Sequence, residues 1–243
     1  MFSGDEKTFD YAGQDLEALM QADNYYRWII DTIKPYVGDK VIEVGSGAGS
    51  FSKFLRGLKP TELTLIEPSK SMHTKLTENT HSTDTTKVTV LHGYLKTLSA
   101  KVARLKLDTA VYINVFEHID DDQAEAKRVA KLLESGGHLI IFVPALQGLY
   151  SNFDKSIGHY RRYTKKDLRA LCKAADLEIV RLRYMDMPGI LPWWFSFVLM
   201  KRTKLVSSLV RTYDNLCVPI IRTIEGTLEM PVGKNLLLIA RKK

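Results

Sequence analysis

A doubly wound α/β domain is the fold class that this sequence predicts: a seven-stranded, mostly parallel sheet with a helical cap inserted before the last strand. Three observations point to it. Short apolar runs alternate with amphipathic stretches along most of the 243 residues. The first apolar run leads straight into Gly45, Gly47 and Gly49, and two long connections, 144–163 and 185–233, interrupt an otherwise regular alternation. Strands separated by helices make a parallel sheet covered on both faces, and right-handed crossovers make it doubly wound.

The elements follow in order. Residues 13–36 read as a helix, with Leu16, Leu19, Met20, Tyr26, Ile29, Ile30 and Ile33 near a helical period and Pro35 and Gly38 closing it. Lys40–Val44 is the first strand and Phe51–Leu58 the helix after its glycine turn. Leu63–Ile66 and Ser71–Asn79 repeat the pattern, and Val88–Leu91 is a third strand. Asp108–Ile113 is the fourth strand, Gln123–Leu133 a helix ended by Gly136-Gly137, and His138–Val143 the fifth strand. Thr164, with Asp167 three residues on, caps the next helix. Glu178–Tyr184 and Asn235–Ala240 are the last two strands. The chain reads as one domain, 1–243, with residues 1–36 a helical segment over the site and 185–233 a helical cap. The apolar run LPWWFSFVLM in the cap is about ten residues, too short to span a bilayer.

The composition, 45% hydrophobic and 26% charged, is that of an ordinary globular chain and excludes collagen-like, repetitive or disordered classes. Cys172 and Cys217 have no metal-ligand spacing, so reduced thiols and no bound metal are expected. The start of the chain shows no charged-then-apolar signal pattern, and a cytoplasmic location is expected. The net charge of +7 is spread along the chain, with patches at Arg161-Arg162, Lys201-Arg202-Lys204 and Arg241-Lys243. No nucleic-acid motif accompanies these patches, so no nucleic-acid partner is expected.

In an open sheet, ligands bind outside the carboxyl ends of the strands at the switch point. The turn Glu43-Val44-Gly45-Ser46-Gly47-Ala48-Gly49 stands there, between strand and helix. Its glycines let the backbone approach a ligand closely, and it exposes helix N-terminal amides. The spacing is G-x-G-x-G, not the dinucleotide G-x-G-x-x-G; alone it is equally a tight βα turn. Leu65-Ile66-Glu67-Pro68 ends the next strand, and an acidic residue about twenty positions past the glycines can accept both ribose hydroxyls of an adenosine ligand.

With VIEVGSGAGSFSKFL, LTLIEPSKSM, LDTAVYINVFEHIDDD and LLESGGHLIIFVP in this order, the sequence resembles the class I S-adenosylmethionine-dependent methyltransferases of the small-molecule branch, over residues 20–184 and again at 235–240. The resemblance implies the Rossmann-like methyltransferase fold, with S-adenosylmethionine as cofactor. It implies that Glu43 anchors the first loop and organises the methionine amino group. Gly45, Ser46, Gly47 and Gly49 would pass beneath the cofactor. Glu67 would bind the ribose diol, Pro68 and Met72 would flank the adenine, and Asn114 and Val115 would line the sulfonium end. Many members place an acidic residue after the third strand for the adenine amino group. Here the stretch reads Leu91-His92-Gly93-Tyr94-Leu95, so Gly93, Tyr94 and Leu95 take over that contact through a ring, a hydroxyl or the backbone.

The acceptor side is less specified. Glu117-His118 follows the fourth strand: His118 is either a general base or part of a capping pair that holds the loop. His159-Tyr160-Arg161-Arg162-Tyr163 lies in the first long link. Its arginines suit a carboxylate or phosphate and His159 a proton transfer; equally, the loop pins itself to the domain through an arginine pair with Asp154. Tyr11, Tyr25 and Tyr26 come from the N-terminal segment and would close over the pocket, with core packing the alternative for at least one of them; Trp193 and Trp194 would wall an apolar substrate or form a surface patch for a partner or lipid. The expected reaction is methyl transfer to an oxygen or nitrogen of a small acidic or amphipathic metabolite. Two alternatives stand beside it: a lipid or lipid-precursor methyltransferase, whose cap rests on an anionic membrane surface through Lys201, Arg202 and Lys204, and a cofactor-binding protein without catalysis. Asn114-Val115-Phe116-Glu117 is not the Asn-Pro-Pro-Tyr type of motif, which argues against amino methylation of DNA bases.

Overall fold

The structure, a computed structural model, describes residues 22–80 and 85–243. The helix expected over 13–36 is therefore described from its second half onward, and Tyr11 lies outside the described residues. Seven strands, β1 (Lys40–Val44), β2 (Glu62–Glu67), β3 (Lys87–His92), β4 (Leu107–Ile113), β5 (Leu133–Pro144), β6 (Leu177–Met185) and β7 (Asn235–Lys242), form one sheet in the order β3-β2-β1-β4-β5-β7-β6. All pairings from β3 across to β5 are parallel. β7 runs antiparallel between β5 and β6. The described helices are α1 (Asp23–Ile33), α2 (Ser52–Gly57), α3 (Lys70–Asn79), α4 (Leu95–Val102), α5 (Asp122–Leu132), α6 (Asn152–Ser156), α7 (Lys165–Ala174), α8 (Ile190–Trp193), α9 (Ser207–Thr212) and α10 (Val218–Thr227). α8 continues into a π-helical turn at Trp194–Leu199, and a second such turn, Tyr213–Cys217, joins α9 to α10.

Strand side chains alternate between two cores, which is why the strands read as continuous apolar runs. Ala110 and Tyr112 of β4 enter one core while Val111 enters the other; Leu139 and Ile141 of β5 oppose Ile140 and Phe142 in the same way. The first core is closed by Val102 of α4, Val129 of α5 and Leu168 of α7. The second is closed by Ile29 of α1, Leu55 of α2, Leu76 of α3 and Ile221 of α10. The chain leaves β1 toward β2 in one direction and returns through β4 in the other, so a crevice opens above the carboxyl ends of β1 and β4.

Three features differ from the sequence reading. β5 begins at Leu133, not at 138, because Leu133 already pairs with Leu107; a register shift follows, absorbed with Gly136 at φ 82. α4 was given no element by the sequence, although Leu95, Leu98 and Val102 lie on one face of it. The link 144–163 is not irregular throughout: α6 starts with a capping box between Ser151 and Asp154.

The helical insertion is fastened to the rest of the domain by buried acids. α1 has no side-chain cap of its own; Asp214 from the insertion accepts the amides of Asn24 at 3.0 Å and Tyr25 at 2.8 Å. Buried Glu225 accepts the amides of Asp186 and Met187 at 3.0 and 2.9 Å, and buried Asp186 accepts the ammonium of Lys234 at 2.8 Å and the hydroxyl of Tyr213.

At α7 the Thr164 hydroxyl accepts the Asp167 amide while the Asp167 carboxylate accepts the Thr164 amide. Thr164→Ala removes half of this reciprocal cap and is expected to cost about 1 kcal/mol. Urea unfolding checks this: the midpoint falls and the slope of free energy against denaturant is unchanged.

Candidate active site

A cleft of about 1540 Å³ occupies the crevice. The glycine loop and the ends of β1, β2 and β4 form its floor; α1, α8 and the α9–α10 segment form its other walls. The loop takes its shape from left-handed backbone at Gly45 (φ 74), Gly47 (φ 55) and Gly49 (φ 90). A Cβ at Gly45 would lie 2.6 Å from Cγ2 of Val115, so this glycine lets the loops after β1 and β4 touch.

Glu67 holds the loop in place. One carboxylate oxygen accepts the Gly47 amide at 2.8 Å and the other accepts the Ser69 amide at 2.8 Å. Each oxygen keeps further acceptor capacity toward the cleft. Burial raises its pKa above the ordinary carboxylate value, and the two amides oppose that rise. Glu43 is more enclosed. The Ser52 hydroxyl donates to its carboxylate, and burial pushes its pKa up to about 8. Ser46 donates its hydroxyl to the Glu43 carbonyl at 3.2 Å, and its amide shares the Ile66 carbonyl with that of Gly45.

Beyond Glu67, Pro68, Met72, Gly93, Tyr94 and Leu95 line one arm of the cleft. Met72 and Leu95 are buried, whereas Tyr94 stands at the rim. The Gly93 amide donates to the Glu67 carbonyl at 3.1 Å. Asn114 and Val115 line the opposite arm; Asn114 is left-handed (φ 53), and its amide donates to the Phe142 carbonyl at 2.8 Å.

A polar cluster closes that arm. Glu117 is fully buried and neither carboxylate oxygen has a hydrogen-bond partner; burial pushes its pKa up to about 8. His118 and His159 meet edge to face, with ring centroids 4.5 Å apart. Burial, then the neighbouring His159, pushes His118 down to about 3, so it is neutral and a weak base. His159 Nδ1 lies 3.1 Å from Asp154 and its Nε2 3.8 Å from Glu117. Arg162 is buried, donates to Asp154 at 2.9 and 2.8 Å and to the Ala145 carbonyl at 3.2 Å, and stacks on Trp193. Burial opposes ionisation of Asp154, but its bonds to His159, Arg162 and Ser151 together hold its pKa below the usual value.

The sequence-derived candidates thus separate into two groups. Glu43, Ser46, Gly47, Glu67, Tyr25, Tyr26, Glu117, Tyr160, Arg162 and Trp193 face the same cleft as both histidines. Two do not. Arg161 turns away to Asp122 (2.8 Å) and the Asp120 carbonyl (2.8 Å), a pairing made available by the acidic run after His118. Trp194 is half exposed outside the cleft, while Trp193 at the end of α8 and Phe197 in the π-helical turn line it instead. Arg162 faces the cleft but is committed to Asp154, which is the loop-pinning alternative. Phe153 from α6 and Phe197 and Tyr213 from the insertion also line the wall; spacing gives no signal for residues that only the folded link and insertion bring there.

S-adenosylmethionine fits the residues present: a side-chain-free backbone turn, a buried carboxylate with acceptor capacity at the end of β2, and an apolar slot at Pro68, Met72 and Leu95. For a metal, Glu117, His118 and His159 offer donor atoms within 4.8 Å of one another, although the cysteine and histidine spacing in the sequence suggested none.

Glu43 makes stability pH-dependent with an unusual sign. Its folded value near 8 lies above the ordinary 4.5. Between those values the unfolded chain has lost the proton and the folded chain keeps it, so stability falls as pH rises from 5 to 8. Glu43→Gln is expected to flatten that slope in denaturant midpoints measured at both pH values.

The model of a methyltransferase domain family matches residues 15–182, more than half of the chain. No curated protein sequence matches. Among solved structures, a SAM-dependent methyltransferase from Archaeoglobus fulgidus is 16% identical with a TM-score of 0.58, covering 91% of this chain and 94% of its own. The cyclopropane synthase MmaA2 from Mycobacterium tuberculosis is 14% identical with a TM-score of 0.61, covering 98% and 100%. Phosphoethanolamine N-methyltransferase 2 from Haemonchus contortus, in complex with S-adenosyl-L-methionine, is 12% identical with a TM-score of 0.61; the match covers 99% of this chain and 60% of that one. These likenesses establish the fold, and the family match together with the glycine loop and Glu67 establishes the rest: the chain belongs to the methyltransferase domain family, as an S-adenosylmethionine-dependent enzyme.

Proposed function

We propose that the enzyme methylates an oxygen or nitrogen of a small amphipathic acceptor. The shape of the cleft carries this reading: an apolar wall of Phe153, Trp193 and Phe197 leads to the polar end at Glu117, His118 and His159, beside the loop after β4. Arg202 and Lys204 line the cleft on the insertion side, which favours an acceptor carrying an acidic group.

S-adenosylmethionine, when bound, supplies a methyl group already activated by its positive sulfur. The protein's part is then alignment and exclusion of water. Glu67 would hold the nucleoside end through its carboxylate, above the closely approaching glycine loop, whose amides it shares with the Ile66 carbonyl. Glu43 and the backbone at Asn114 and Val115 hold the methionine end. His118 is too weak a base to take a proton at neutral pH and serves to position. His159, fixed through Nδ1 by Asp154, presents Nε2 toward the polar end.

Glu67→Gln keeps the shape but removes the charge that accepts hydroxyl hydrogen bonds. Loss of a charged hydrogen bond is worth about 1.5–3 kcal/mol, so titration calorimetry is expected to show S-adenosylmethionine binding roughly tenfold to a hundredfold more weakly. Unchanged affinity would remove Glu67 from the nucleoside site.

One surface favours a second reading, in which the acceptor is a lipid or lipid precursor met at a membrane. Of sixteen exposed large apolar side chains among the described residues, twelve fall between Leu191 and Val232. Leu191, Phe195, Leu216 and Ile220 are each more than half exposed, and Lys201, Arg202, Lys204 and Arg211 stand among them. No described helix is long and apolar enough to cross a membrane, so the contact would be interfacial, with basic side chains at anionic headgroups. Co-sedimentation with vesicles containing phosphatidylglycerol is expected to retain the protein, phosphatidylcholine vesicles to retain much less, and Leu216→Asp with Ile220→Asp to abolish retention. Equal behaviour of the variant and the parent chain would exclude this face as the contact.

A further inference from the structure

We propose that Glu117, His118 and His159 form a binding site for a divalent transition-metal ion, open to the cleft. Their donor atoms lie within 4.8 Å of one another. Ligands held at about 2.0–2.2 Å from one ion stand roughly 3–4 Å apart, so small side-chain rotations close the group around a cation. All three residues line the cleft, which leaves coordination positions facing the space where the acceptor would lie.

Two independent observations point to a ligand here. First, both carboxylate oxygens of fully buried Glu117 lack a hydrogen-bond partner, and they are the sole such buried side-chain atoms among the described residues. A buried carboxyl group without a hydrogen-bond partner is costly, and the neighbouring Arg162 gives its donors to Asp154 and the Ala145 carbonyl. Second, His159 is oriented as metal-bound histidines are. Its Nδ1 pairs with Asp154 at 3.1 Å, which directs Nε2 to Glu117 at 3.8 Å; a carboxylate behind the imidazole fixes tautomer and ring direction for a metal on the other nitrogen. Asp154 is itself held by Ser151 and Arg162, so this support is rigid.

Two imidazoles and a carboxylate suit zinc, cobalt, manganese or iron(II) better than calcium or magnesium, which favour all-oxygen sites. An ion with open positions would take an oxygen of the acceptor and hold it at the polar end of the cleft.

The test uses the full chain, freed of metal by chelator and without cofactor, so that its outcome is separate from that of S-adenosylmethionine binding. Titration with Co²⁺, followed by visible absorption, is expected to saturate at one equivalent. Glu117→Gln, His118→Ala and His159→Ala should each weaken binding at least about tenfold, whereas His73→Ala, in the separate His73–His92 pair, should leave it unchanged. X-ray absorption of the Zn²⁺-loaded parent chain should show imidazole nitrogen and carboxylate oxygen together. Failure of the parent chain to bind one equivalent overturns the proposal without reference to any variant. So does binding that persists in both Glu117→Gln and His159→Ala, or a spectrum with oxygen ligands alone.

Discussion

A sheet buried on both faces has no room for an unpaired charge along its strands, and that constraint arranges the rest of the molecule. Polar side chains with work to do must stand where the strands end. Glu43 occupies the penultimate position of β1, Glu67 the last position of β2, and Asn114 and Glu117 follow β4. Buried polar side chains within strands have partners: the Thr109 hydroxyl is engaged with Gly38 and Asp108, and Arg183 of β6 donates to the Glu225 carbonyl. Concentrating carboxylates at one edge also creates the electrostatic character of the cleft. Burial raises the pKa of Glu43, Glu67 and Glu117 alike, and each meets a different opposition: a serine hydroxyl, two backbone amides, and the nearby Arg162 charge.

The same constraint explains what could be read from the sequence. The central strands bury both faces and leave short, unbroken apolar runs, while the partly exposed edge strands β3 and β6 leave interrupted ones; all seven were legible, as were the glycine turn and the acid that closes on it. Boundaries set by pairing were not legible: Leu133 reads as the end of a helix, and only its register with Leu107 makes it strand. α4 was not legible because it is only eight residues long and shows just Leu95, Leu98 and Val102 to the core. At the site, residues near a strand end or the glycine turn faced the cleft, since topology alone puts them there. Arg161 and Arg162 could not be told apart, because adjacent residues on a loop point wherever their partners lie. Arg161 found Asp122 and Arg162 found Asp154.

The insertion is more than an appended cover. Asp214 supplies the N-terminal cap that α1 lacks, Tyr25 of α1 reaches Asp186 at 3.3 Å, and Lys234 at the start of the return to β7 completes the group at 2.8 Å. Two walls of the cleft, one from before β1 and one from before β7, are therefore a single hydrogen-bonded unit. A shift of α9 and α10 would pull on α1, which already packs its Ile29 and Ile33 into the second core. The insertion and the wall formed by α1 share Asp186 and Asp214 as their polar connections. The π-helical turns fall within this unit, and such turns are irregularities that ordinary helices avoid unless side-chain placement requires them.

The link after β5 presents the reverse problem, since a run of twenty residues with little regular structure should be costly to order. Asp154 resolves it. One carboxylate gathers the Ser151 amide and hydroxyl, the His159 ring and the Arg162 guanidinium, and Arg162 in turn lies over Trp193. Buried ion pairs of this kind add little net stability over an apolar replacement, because desolvation offsets their attraction. What they do provide is position: with its donors satisfied in one geometry, the loop has few alternatives. The polar end of the cleft, where His159 faces Glu117, is therefore built on a support whose main consequence is the fixed direction of one imidazole nitrogen. A catalytic or metal-binding role needs that fixed direction; a loop that served only to cover the core would not.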